Sequence, residues 1–124
     1  MNRKLLVVDD DAAVRRIIGR ILRSDGLEVI EAADGDEAIS LTESEKPVLV
    51  VLDIHMPNLD GIATLETILE LDPAIAVIII TGDASDRRAA LALERGACDF
   101  IAKPFDLDHL RRSVESHLFL RGYA

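Results

Sequence analysis

Five short apolar runs, separated by segments with helical periodicity, restrict the fold of this chain more than any other feature. The runs occupy residues 5–8, 27–32, 48–52, 76–80 and 98–102. Each run is too short to span a membrane, and its β-branched residues favour a strand over a helix. Parallel strands need connections about as long as the segments between these runs. The pattern therefore predicts one α/β domain over residues 1–124, with strands and helices alternating as (βα)5.

Charges within the runs predict which strands lie at the edges of the sheet. The second run carries Glu28 and Glu31 and the fifth carries Asp99, whereas the other runs are apolar throughout. A strand that helices cover on both faces is apolar along its length, and charges are common at sheet edges. The second and fifth strands are therefore expected at the edges, and the order 2-1-3-4-5 of a doubly wound parallel sheet fits these positions.

Turn residues and apolar stripes define the helices. Residues 24–26 supply a glycine stop for the first helix, residues 57–61 form a loop before the third, and Gly96 ends the fourth. In the last helix, Arg111 is expected to point outward and His117 to be a surface histidine. The stripe expected to pack on the sheet consists of Leu107, Leu110, Val114 and Leu118.

Size and composition exclude several classes of function. The chain has 124 residues, a net charge of -9, 49% hydrophobic residues and one cysteine, Cys98. Such an acidic chain repels phosphate backbones, so we expect no direct nucleic-acid binding. Aspartates stop the first apolar run, so we expect no targeting segment and no membrane association. A single thiol cannot form an internal disulfide, and the cytoplasm is the expected compartment.

Reactive side chains follow the ends of the predicted strands. Asp9 and Asp10 follow the first strand, Asp53 the third, Thr81 the fourth and Lys103 the fifth. Ligands bind at the carboxyl edge of open α/β sheets, so these side chains are expected to converge there. The carboxylates outnumber the ammonium, and a divalent cation would cancel the excess negative charge. Oxygen ligands of this kind favour Mg²⁺, with a phosphoryl group as the matching ligand.

Each of these residues also has a structural interpretation. Residues 9–11 are placed to cap the first helix, Asp53 can form a turn, and Thr81 can simply end a strand. Lys103 precedes a proline, where an extended residue with a solvated amine is common. The functional interpretation is favoured because independent strand ends have no other reason to present acids, a hydroxyl and an amine together.

Several motifs resemble those of the receiver domains of two-component response regulators. They are VVDDD at residues 7–11, LDIHMP at 52–57 with DG at 60–61, ITG at 80–82 and KPF at 103–105. The resemblance implies a flavodoxin-like fold and a phosphoryl group accepted on Asp53 from a sensor histidine kinase or phosphotransfer protein. It also implies that the chain is a regulatory phosphoacceptor domain and not an enzyme. Such a domain assists its own phosphorylation and dephosphorylation.

The resemblance implies a magnesium site built from four residues. Asp10, Asp53 and the backbone carbonyl of His55 would ligate Mg²⁺, and Asp9 would act mainly through a metal-bound water. The side chain of His55 would border the entrance of the hydrolytic water. There it is either a modulator of phosphoryl lifetime or a solvated loop residue.

A second group of residues is implied to transmit the signal. Lys103, joined to Pro104 by a cis bond, would pair with the phosphoryl oxygens, and Thr81 would hydrogen-bond one of them. Phe100 would then turn into the vacated space and change the surface of the fourth helix, fifth strand and fifth helix. Phe100 fits a core aromatic residue equally well.

Two other functions are open on the sequence. An aspartyl-phosphate phosphatase or transferase would share the nucleophile, but the usual second acid is replaced by His55. A non-phosphorylated interaction module would need only the fold, and the complete set of site residues argues against it. The expected partners are the kinase and a downstream effector domain or protein. No effector domain is expected within residues 1–124. The sequence does not decide whether the chain forms a homodimer.

Overall fold

The computed structural model describes residues 3–56, 59–82 and 87–123. The strands are β1 (Lys4–Val8), β2 (Glu28–Ala32), β3 (Leu49–Asp53), β4 (His55–Met56), β5 (Leu59–Asp60), β6 (Ala76–Thr81) and β7 (Asp99–Ala102). The main sheet is parallel, with the order β2-β1-β3-β6-β7. This confirms the predicted order 2-1-3-4-5, with the two charged strands at the edges.

Helices cover both faces of the main sheet. They are α1 (Ala12–Ser24), α2 (Gly35–Glu45), α3 (Gly61–Leu71), α4 (Arg87–Glu94) and α5 (Leu107–Leu120). Residues from α1 and α5 belong to one hydrophobic cluster, and residues from α2, α3 and α4 belong to another. Within the described part of the chain, no helix is both long enough and apolar enough to cross a bilayer.

The inner strands are apolar except at their ends because both of their faces are covered. In β1, Leu5 and Val7 join the cluster beneath α1 and α5, whereas Leu6 and Val8 join the cluster on the other face. Successive side chains of a strand point to opposite faces. Burying each such side chain stabilises the fold by about 1.5–3 kcal/mol. Polar side chains on these strands are therefore confined to their ends.

The aspartates that follow β1 have different roles. Asp11 caps α1, because its Oδ1 accepts hydrogen bonds from the backbone N–H groups of Ala13 at 2.9 Å and Val14 at 3.4 Å. The capping interpretation is therefore correct for Asp11. It leaves Asp9 and Asp10 at the carboxyl edge of the sheet.

The expectation of a loop over residues 57–61 is wrong for residues 59–61, which form β5 and the first residue of α3. Strands β4 and β5 form a short antiparallel pair, and α3 begins directly at Gly61. Such short strands carry no periodic signal in a sequence. A Cβ atom at Gly61 would lie 2.5 Å from the Cα atom of Ile54, so a glycine is required there by the close approach of the two backbones. Pro57 and Asn58 lie outside the described residues.

The expectation that His117 is a surface residue is wrong, and the expectation for Arg111 omits its partner. Arg111 points away from the sheet as expected, and its Nη2 and Nε donate to Asp25 Oδ1 and Oδ2 at 2.7 and 3.0 Å. This bidentate pair joins α5 to the turn after α1. His117 is half-buried rather than exposed, and its Nε2 lies 3.8 Å from Asp99 Oδ2. Both contacts link segments that are distant in sequence, which helical periodicity does not detect.

Candidate functional site

The carboxyl edge of the sheet brings most of the predicted site residues together. Asp9 directly follows β1, Asp53 ends β3, Thr81 ends β6 and Lys103 directly follows β7. Asp9, Asp53 and Thr81 are buried, with 1%, 3% and 0% of their surfaces exposed. The strands are parallel, so their carboxyl ends meet at one edge. The predicted convergence at that edge is confirmed for these residues.

The ammonium group of Lys103 bridges two buried carboxylates. Its Nζ donates to Asp9 Oδ2 at 3.1 Å and to Asp53 Oδ2 at 3.2 Å. The backbone N–H of Lys103 donates to the carbonyl oxygen of Thr81 at 2.7 Å. The peptide between Lys103 and Pro104 is cis, as the resemblance implies. Lys103 is therefore held at both its backbone and its side chain.

Backbone N–H groups orient the other carboxylate oxygens. Asp53 Oδ1 accepts a hydrogen bond from the N–H of His55 at 2.8 Å, and Asp9 Oδ1 accepts one from the N–H of Asp11 at 2.9 Å. Each carboxylate thus has one oxygen facing a backbone donor and one facing the ammonium of Lys103. Hydrogen bonds to charged groups are about twice as strong as neutral ones. The two carboxylates are therefore fixed in orientation before any ligand arrives.

Electrostatics at this edge show an excess of negative charge. Burial raises the pKa of the Asp9 carboxyl above its ordinary value, although the N–H of Asp11 and the ammonium of Lys103 oppose the rise. Burial lowers the pKa of Lys103, but its hydrogen bonds and charge interactions with Asp9 and Asp53 outweigh this and raise the pKa overall. The ammonium is therefore firmly charged, while Asp9 carries its charge at a cost that further positive charge would relieve.

Three carboxylates form a set of oxygen donors that fits a cation. Asp9, Asp10 and Asp53 each offer an oxygen, and these oxygens all lie within 4.8 Å of one another. Asp10 is exposed, so the set is open to solvent on one side. Mg²⁺ takes one or two carboxylates of this kind and keeps several waters. The donor chemistry and the raised pKa of Asp9 both suit a hard divalent cation.

The side chain of His55 contacts residues on two other elements. Its Nε2 lies 3.0 Å from Thr81 Oγ1, and its Nδ1 lies 2.6 Å from Nη2 of Arg88 on α4. Sequence reasoning placed His55 beside the site but did not predict its contact with Arg88. The two residues are separated by 33 positions, and their contact depends on how α4 packs beside the strand ends.

Arg15 is a second residue that sequence reasoning missed. Its Nη1 donates to the backbone oxygen of Asp9 at 2.6 Å, and its Nε lies 3.5 Å from Glu31 Oε1. The guanidinium thus supports the backbone that carries the first carboxylate. In the sequence, Arg15 resembles any arginine on the exposed face of a helix, so only the packing of α1 beside β1 and β2 identifies its contacts.

Phe100 lies in the body of the sheet. It pairs with Ile79 in the register of β7 and β6, and it is half-buried against the hydrophobic cluster shared by α2, α3 and α4. These contacts are those of a core aromatic residue. The switching role of Phe100 stays a prediction.

Several known proteins are similar to this chain. The family model of the response regulator receiver domain matches residues 5–115. Sporulation initiation phosphotransferase F of Bacillus subtilis (strain 168) is 36% identical over 122 residues, which cover 98% of this chain and 98% of that protein. The probable transcriptional regulator ycf27 of Porphyridium aerugineum is 44% identical over 118 residues, which cover 94% of this chain and 48% of that protein. The chain therefore spans nearly all of the first relative and about half of the second.

A solved structure extends the likeness to the whole fold. The CheY-like response regulator receiver domain protein from Methanospirillum hungatei JF-1 has 31% sequence identity and a TM-score of 0.93, with 98% of this chain and 97% of that chain covered. The segment matched by the family model, residues 5–115, contains every predicted site residue. The chain belongs to the response regulator receiver domain family.

Proposed function

We propose that this receiver domain accepts a phosphoryl group on Asp53 and passes a signal on within a two-component phosphorelay. The donor would be a sensor histidine kinase or a phosphotransfer protein. The placement of Asp53 carries the proposal: it is a buried carboxylate whose oxygens are oriented by the His55 N–H and the Lys103 ammonium. Membership of the receiver domain family supports the same role.

The proposed transfer is a nucleophilic displacement at phosphorus. An oxygen of the Asp53 carboxylate forms a bond to phosphorus while the bond from phosphorus to the donor nitrogen breaks, and that nitrogen keeps the electron pair. The product is an aspartyl phosphate. Lys103 is placed to neutralise charge that gathers on the transferred group, because its Nζ lies 3.2 Å from Asp53 Oδ2. Attack of water on phosphorus would later release phosphate and restore the carboxylate.

A divalent cation suits the same cluster of residues. Asp10, Asp53 and the backbone carbonyl of His55 would hold Mg²⁺, with Asp9 acting mainly through a water. When bound, the cation would neutralise the phosphoryl oxygens and help to align the donor. The close set of carboxylate oxygens and the raised pKa of Asp9 support this assignment.

Thr81 and Phe100 are the residues we assign to signal output. Thr81 would hydrogen-bond a phosphoryl oxygen, and Phe100 would follow by moving within the β7 edge. The surface of α4, β7 and α5 would then meet a downstream effector domain or protein, or a second copy of the chain. We assign the whole of residues 1–124 to one receiver domain. The free thiol of Cys98 agrees with a cytoplasmic setting.

The test is uptake of a phosphoryl group from acetyl phosphate in the presence of Mg²⁺, followed by mass spectrometry and hydroxylamine treatment. Asp53→Asn should abolish the hydroxylamine-sensitive product. Asp99→Asn is the matched control, because it removes a charge at the other end of the sheet, and it should label at the wild-type rate. Labelling of Asp53→Asn at the wild-type rate would contradict the assignment. Steady turnover of a phosphomonoester would favour a phosphatase instead.

A further inference from the structure

Three side chains form a continuous path from helix α4 to the switch hydroxyl. Arg88, in the first turn of α4, places its Nη2 2.6 Å from Nδ1 of His55, and Nε2 of His55 lies 3.0 Å from Thr81 Oγ1. The three residues come from different elements. The imidazole ring therefore joins a helix on the proposed output surface to a buried hydroxyl at the carboxyl edge.

The chemistry of these groups sets the direction of the hydrogen bonds. A guanidinium group can only donate, so Nδ1 of His55 must accept from Arg88. The ring proton then lies on Nε2, which donates to the hydroxyl oxygen of Thr81. Arg88 thus selects the tautomer of His55 that can hold Thr81.

We propose that His55 is a positioning residue that couples phosphorylation of Asp53 to the start of α4, an inference that rests on the proposed function. The hydroxyl of Thr81 sits on a stiff, β-branched side chain with a few discrete rotamers. Movement of this hydroxyl towards a phosphoryl group on Asp53 breaks its bond to His55. The ring then turns, and Arg88 loses the acceptor that holds it in the unphosphorylated state.

The coupling works in both directions. Any partner that binds Arg88 in its released position also favours the phosphorylated state, because linkage between two sites is reciprocal. Removal of the bond between His55 and Thr81 removes a contact present only in the unphosphorylated state. The affinity for a phosphoryl mimic should then increase by about 2- to 10-fold, the value of one net hydrogen bond.

The first experiment measures binding of beryllofluoride with Mg²⁺ by nuclear magnetic resonance titration. His55→Ala removes the ring but keeps the backbone carbonyl, and it should bind the probe about 2- to 10-fold more tightly. Arg88→Ala should also bind more tightly than the matched control Arg87→Ala. Simple electrostatics predicts the opposite sign, because loss of a positive charge weakens binding of an anion.

Two further variants separate this coupling from a general structural effect. The double variant His55→Ala with Arg88→Ala should bind like His55→Ala alone, since both changes break one path. In a Thr81→Val background, His55→Ala should leave the affinity within about 2-fold of that background. The inference would be overturned if the effects of His55→Ala and Arg88→Ala were additive. It would also be overturned if His55→Ala raised the affinity as much in the Thr81→Val background as in the wild type. His109→Ala, an exposed histidine on α5, is the control for loss of an imidazole.

The second experiment does not depend on a phosphoryl mimic. Nitrogen chemical shifts of the His55 ring should report a proton on Nε2 in the wild-type protein and a mixture of tautomers in Arg88→Ala.

A wild-type protein that binds beryllofluoride while His55→Ala binds equally or more weakly would overturn the coupling alone. If the wild-type protein does not bind beryllofluoride, or binds it independently of Asp53, the proposed function is overturned, and the switching role of His55 with it.

Discussion

Asp53 and Asp99 are aspartates in the same sheet that differ in burial and in the groups they contact. Asp53 ends β3 at the carboxyl edge and is 3% exposed, whereas Asp99 begins β7 at the amino edge and its side chain is 35% exposed. Asp53 shares a lysine with Asp9. Asp99 Oδ2 instead accepts a hydrogen bond from Ser113 Oγ at 2.7 Å.

The two carboxylates differ in how completely neighbouring groups of the protein compensate their charge. Asp99 faces a hydroxyl, a nearby histidine and solvent, and its Oδ1 accepts from the N–H of Phe100. Asp53 is desolvated and lies among other carboxylates with one ammonium to compensate them. A charge that its neighbours satisfy stabilises the fold, whereas an excess of buried charge prepares a site for a cation or a phosphoryl group.

The largest loss of stability is expected from removing the Lys103 ammonium group, which Asp9 and Asp53 share at the carboxyl edge. Lys103→Met leaves the carboxylates of Asp9 and Asp53 buried without the ammonium group that bridges them. Loss of one partner of a buried ion pair costs 3–5 kcal/mol, and because Lys103 is partly exposed we expect about 2–3 kcal/mol. The measurement is urea unfolding in EDTA. Added Mg²⁺ should restore part of the loss, because a ligand of the folded state stabilises it. A variant as stable as the wild type would show that the excess charge is already screened.

A smaller effect is expected where the backbone at the carboxyl edge is most crowded. Gly61→Ala should lower the free energy of unfolding by about 1–2 kcal/mol, since crowding by Ile54 outweighs the better helix propensity of alanine. Gly82→Ala is the control, because a Cβ atom there meets none of the described residues within 4 Å. Chemical denaturation of both variants gives the comparison. Equal stabilities would mean that the turn into α3 can relax without cost.

The amino edge should respond less, and in stability alone. Ser113→Ala removes the hydroxyl that donates to Asp99, and we expect a loss of about 1 kcal/mol. Phosphoryl uptake from acetyl phosphate should stay at the wild-type rate. If uptake fell together with stability, the two edges would not be independent and the contrast between Asp53 and Asp99 would fail.

Sequence patterns predict the features that depend on strand direction and burial. Continuous apolar runs identified the covered strands, charges identified the edges, and polarity at the strand ends placed Asp9, Asp53, Thr81 and Lys103 together. These inferences succeed because the main sheet is parallel and regular. No side-chain conformation is needed for them.

Contacts between distant segments are the part that sequence patterns do not predict. The bond from Arg88 to His55 depends on where α4 begins beside the strand ends, and the pair of Arg111 with Asp25 depends on how α5 packs on α1. The side chains that contact Asp99, those of Ser113 and His117, lie on α5, 14 residues or more away. Each such contact is one choice among many rotamers and crossing angles, and residue spacing does not distinguish between them.

The last expected effect is confined to alkaline pH and comes from the thiol beside Asp99. Burial raises the pKa of Cys98 above its ordinary value of 9.0, so the folded protein retains a proton that the unfolded chain releases. The free energy of unfolding should therefore fall as the pH rises past 9.0, by at most about 1.4 kcal/mol per pH unit. The raised pKa of Lys103 acts in the same direction, but only above its ordinary value of 10.5. Urea unfolding between pH 8 and about 10 thus isolates the amino edge. Cys98→Ala should flatten this pH dependence, and an unchanged slope would assign it to other groups.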